Sequence, residues 1–74
     1  MYVTDAFFAS VAKSRLEALS VVYAVVDGRR VYRDQLVSEI IAAYHREDPD
    51  FATIKDMVAW VNNWIQQTDD AFFA

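Results

Sequence analysis

The chain has 74 residues with 55% hydrophobic side chains, a net charge of −4 and no cysteine. That length makes one helical domain over 1–74 that buries only about 60% of its unfolded surface. Disulfides and thiolate metal sites are excluded, so stability must come from dense aromatic packing or from association. The acidic balance disfavours general nucleic-acid binding, where phosphate neutralisation by Lys and Arg dominates affinity.

One glycine and one proline leave few places to turn and favour long regular elements. The longest apolar run is Val21 to Val26, far short of the roughly 18–20 residues of a membrane span. The N-terminus lacks the basic and apolar regions of a signal peptide, so a soluble cytoplasmic protein is expected.

The periodicity predicts an all-α, three-helix bundle with helices at about 4–26, 34–46 and 51–67. Helix 1 starts at Thr4 or Asp5, both good N-cap types. Phe7, Phe8, Val11, Ala12, Leu16, Leu19, Val22, Tyr23 and Val26 then share one side. Gly28 offers a left-handed residue to end it.

A rival reading of 21–33 gives an α+β fold. Val21–Val26 is rich in β-branched residues, and Asp27-Gly28 is a preferred type I′ hairpin turn. Helix 1 would then end near Ser20, and a β-hairpin would pair Tyr23 with Tyr32. Such a hairpin must pack on the helices to be stable.

Helix 2 is predicted from an N-cap at Asp34, with Leu36, Val37, Ile40, Ile41 and Tyr44 inward. Glu47-Asp48-Pro49-Asp50 breaks it, because the residue before proline avoids helical angles. Helix 3 starts from Asp50 or from Thr53, whose spacing to Asp56 reads as a capping box.

Helix 3 carries an apolar arc wider than one neighbour would cover. Phe51, Ile54, Val58, Val61 and Ile65 recur at helical spacing, flanked by Met57, Trp60 and Trp64. The predicted core is Phe8, Leu16, Leu19, Leu36, Ile40, Tyr44, Ile54, Val58, Val61 and Ile65. Asp5–Ala9 and Asp70–Ala74 repeat the same five residues, which is too short to argue duplication. Phe72 and Phe73 at a terminus should dock on the bundle or on a partner.

No catalytic or metal motif is present, so the chain is read as non-enzymatic with no cofactor and no metal. His45 falls on the polar face of helix 2 and reads as a solvated side chain. The expected protein interface is Met57, Trp60, Trp64, Phe72 and Phe73, because wide aromatic surfaces mark binding hot spots. The partner is a protein: a second copy in a homodimer, or a larger target. Arg29, Arg30, Tyr32 and Arg33 form a candidate basic patch. Arg15 projects from the apolar face of helix 1 and must form a buried ion pair, snorkel or meet a partner.

The leading expectation is therefore a small acidic protein-interaction module: an inhibitor, adaptor or accessory factor of phage or plasmid type. The alternative is a small DNA-binding transcriptional regulator using Arg29, Arg30 and Arg33. Thr53-Ile54-Lys55-Asp56-Met57-Val58-Ala59 resembles the first helix of a lactose-repressor-type helix-turn-helix. After it, Trp60–Ile65 continues the helix where that family turns. A structural subunit of a larger assembly is the third possibility.

Overall fold

The computed structural model describes residues 3–68 and the backbone of residues 70–73. The order of elements is α1 (Asp5–Ala18), β1 (Val21–Val26), β2 (Arg29–Tyr32), α2 (Arg33–Glu47), α3 (Ile54–Gln67) and β3 (Asp70–Phe73). The fold is α+β: three helices stand against one face of a small antiparallel sheet of order β2-β1-β3.

α1 begins where expected. The Phe7 N–H donates to Thr4 Oγ1 at 3.1 Å, satisfying one of the unpaired donors of the first turn. It does not run on to residue 26. Leu19 caps it, and Ser20 takes φ +57° while its N–H donates to the Glu17 carbonyl at 3.0 Å. A left-handed residue after the last turn is a common helix stop. The all-α expectation over 21–26 thus gives way to the hairpin. Five of the six residues there are valine or tyrosine, which fit a pleated surface better than a helix.

Asp27 and Gly28 take φ +52° and +77°, as a two-residue type I′ turn requires. The register is Tyr23↔Tyr32, Ala24↔Val31, Val25↔Arg30 and Val26↔Arg29. β3 pairs with the other edge of β1, with a register shift between Val21 and Tyr23. That shift lets Val21 and Ala24, three residues apart, both turn into the core.

α2 starts one residue before the predicted range, with Tyr32 as N-cap. Asp34 lies in the first turn, where its charge suits the helix dipole. The helix ends at Asp48, φ +48°, ahead of Pro49. α3 opens with the predicted capping box: the Asp56 N–H donates to Thr53 Oγ1, and the Thr53 N–H donates to Asp56 Oδ2, each at 3.2 Å.

The core draws on every helix and on both hairpin strands. Phe8, Leu16, Leu36, Ile40, Met57, Val61 and Ile65 meet Val21, Ala24 and Val31. Leu19, Tyr44, Trp60 and Trp64 pack partly buried around it. Three expectations on α3 are corrected, the first being Val58, read as core, which is only partly buried and lies outside the core cluster. Ile54, read as core, is 51% exposed, and Met57, read as interface, is fully buried. The helix is turned so that Met57, Val61 and Ile65 form its inward row. An apolar arc this wide has several possible centres, and the packing of Trp60 against Phe8 and Tyr44 fixes its rotation.

Candidate functional site

Trp60 is anchored from three sides. Its ring lies 5.8 Å from Phe8, 6.4 Å from Tyr44 and 6.3 Å from Phe51, while Phe8 and Tyr44 stack at 4.3 Å. Edge and offset contacts of this kind are favourable aromatic geometries. Trp60 therefore closes the bundle on the side of α2, and Trp64 packs against the same core. Of the expected interface, Met57 belongs to the interior, and Phe72 and Phe73 have side chains outside the described residues.

Arg15 is neither buried unpaired nor free. Its Nε donates to Asn62 Oδ1 at 2.9 Å, tying α1 to α3. Steps of four residues back along each helix lead from Arg15 to Val11 and Phe7, and from Asn62 to Val58 and Ile54. Phe7 is 44% exposed and Ile54 51%, with Val11 and Val58 half-buried. The apolar excess of α3 thus faces solvent on its α1 side, opposite the tryptophans.

Arg29 and Arg30 point to opposite faces, set by strand alternation, and Arg33 stands at the start of α2. Arg29 lies on the inner face and pairs with Glu39 of α2 at 3.0 Å. The Arg33 Nε donates to the Val21 carbonyl at 2.9 Å, closing the start of β1 over the start of α2. Arg30 lies on the outer face, its guanidinium 5.0 Å from the centre of the Tyr23 ring. A guanidinium over an aromatic face is an attractive, orienting contact.

The outer face of the hairpin therefore carries Tyr23, Val25, Arg30 and Tyr32. The Tyr23 and Tyr32 rings lie 5.5 Å apart as a directly opposed pair. Tyr32 is 52% exposed and Arg30 is exposed. A groove of about 650 Å³ lined by Val22, Tyr32, Arg33, Asp34 and Gln35 adjoins this surface. The sequence marks Arg30 and Tyr32 as a patch, and the hairpin register supplies Tyr23. Val25 was missed, and its signal was the same register.

His45 is exposed, with Nε2 3.0 Å from Asp5 Oδ2, joining the end of α2 to the start of α1. Among the described residues, no group of three or more His, Cys, Asp or Glu is placed to hold a metal ion. None of the described helices is long and apolar enough to cross a membrane. Comparison with protein-family models, with curated proteins and with solved structures finds no match.

Proposed function

We propose that this chain is a non-enzymatic protein-binding module, an inhibitor, adaptor or accessory factor, whose docking surface is the outer face of the hairpin. The observation that carries the reading is the row of Arg30, Tyr23 and Tyr32 on the side of the sheet turned away from the helices. Tyrosine and arginine are enriched at binding hot spots. Tyrosine adds large, rigid, amphipathic area at low entropic cost. A cytoplasmic location belongs to the same proposal.

The nucleic-acid alternative draws less support. Arg29 and Arg33 are engaged within the fold, in a chain of net charge −4. A photo-crosslinking residue placed at position 32 in the source cells tests the main reading. It should yield a discrete protein adduct, absent when the crosslinker sits at exposed Lys55. No adduct from position 32 counts against the docking surface.

Self-association is a second reading, favoured by the exposure of Phe7 and Ile54 along the α1–α3 seam. A two-fold dimer would cover both rows at once. Sedimentation velocity of the chain and of Ile54→Glu tests it. A dimer lost in the variant supports this seam, and a monomer at high concentration removes it.

A further inference from the structure

The free edge of β2 adjoins the proposed docking face, and its backbone polarity follows from the turn. In a two-residue hairpin the pair flanking the turn exchanges both hydrogen bonds, and the next pair exchanges none. The flanking pair here is Val26 and Arg29. Ala24 and Val31 then form the second bonded pair, and the N–H and C=O of Arg30 and the N–H of Tyr32 point away from β1. β2 is an edge of the sheet, since the order is β2-β1-β3. An edge strand with outward-pointing backbone groups is a template for another strand.

The charge of this edge selects among possible strands. Arg29 is neutralised by Glu39 and Arg33 is turned to the Val21 carbonyl, which leaves the exposed Arg30 as the charge that the outer face of β2 presents along this edge. A second copy pairing edge to edge would set arginine near arginine, and like charges across strands are destabilising. An acidic strand has the opposite sign. Its carboxylate across from Arg30 would meet a guanidinium already held over the Tyr23 ring. Tyr32 and the groove beside it lie at the end of the same edge.

Resting on the docking face described above, we propose that the partner presents an acidic extended segment, which adds to the free edge of β2 as a fourth strand. Its backbone pairs with Arg30 and Tyr32, and its carboxylate pairs with the Arg30 guanidinium. Strand addition of this kind draws affinity from the main chain and specificity from alternate side chains.

The test titrates the full chain, labelled for amide NMR, with a synthetic peptide alternating glutamate with threonine and valine. The expected result is saturable shifts at the amides of residues 30–32 and slowed exchange of the Arg30 amide. Arg30→Glu should weaken binding about tenfold or more, because like charge replaces opposite charge at a close pair. N-methylation of alternate peptide nitrogens should abolish binding, and exchanging the glutamates for lysine should do the same.

The proposal is overturned by no saturable shift, by equal binding of the lysine peptide, by binding that survives N-methylation, or by the same shifts produced by oligothymidine, which would make the edge a nucleic-acid site. Binding that survives N-methylation removes strand addition but leaves the docking face intact. Failure of the position-32 crosslink removes the docking face itself.

Discussion

Replacing Met57 by alanine should cost far more stability than replacing Ile54 by alanine, although the two look equivalent in the helical pattern. Met57 is fully buried at the centre of the inward row of α3, and Ile54 is 51% exposed. Met57→Ala removes Cγ, Sδ and Cε from a closed core and leaves a cavity. Such truncations cost about 2–4 kcal/mol. A chain of 74 residues has a total stability of about 4–11 kcal/mol. The loss is therefore a large share of the whole, and lowers Tm by roughly 8–32 °C at about 4–8 °C per kcal/mol. Ile54→Ala loses only partial burial and gains helix propensity, so it should cost about 1 kcal/mol or less. Urea denaturation followed by circular dichroism measures both. A cost for Ile54→Ala equal to or above that of Met57→Ala would refute the orientation of α3 and the exposed α1–α3 seam with it.

Other substitutions probe the turns and ties. Gly28→Ala should cost about 1–2 kcal/mol in the same denaturation experiment, a purely backbone effect, because an added Cβ at φ +77° meets nothing within 4 Å. Ser20→Gly should stabilise by about 0.5 kcal/mol, since Ser20 holds φ +57° at the end of α1. Thr53→Ala removes one half of the capping box and should cost about 1 kcal/mol. A double-mutant cycle on Arg15→Ala and Asn62→Ala should give a coupling of about 1 kcal/mol; additive effects would mean the 2.9 Å bond does not bind α1 to α3.

Much of the helical frame was legible because it rests on local chemistry. Thr4 and the Thr53–Asp56 pair announce helix starts through short side chains that reach their own backbone. Asp48-Pro49 announces a stop through steric exclusion. The hairpin was legible only as one of two readings. Val21–Val26 suits a strand by composition, yet continues the apolar side of α1, and local preference alone could not choose. Pairing with β2 and β3 decides it, and β3 lies 44 or more residues away along the chain. Strand propensity is strongly context-dependent for this reason.

The candidate site was half legible. Arg30 and Tyr32 stood out as an arginine-tyrosine cluster, but Arg29 and Arg33 sort to other faces once strand alternation and the start of α2 are fixed. Trp60 and Trp64, read as interface, pack partly buried against the edge of the core, and the width of an apolar arc does not reveal its centre. Their partners, Phe8 from α1 and Tyr44 from α2, come from distant parts of the chain. The exposed start of that arc, Ile54, was assigned to the interior for the same reason.

The central claim is that the outer hairpin face docks a protein, and crosslinking in the source cells tests it most directly. Photo-reactive residues would be placed in turn at positions 32, 54 and 55, with adducts resolved by mass. The account predicts a discrete protein adduct from position 32 and none from position 55. Adducts confined to position 54 with the mass of two copies of this chain, and none from position 32, would contradict it and move the working surface to the α1–α3 seam.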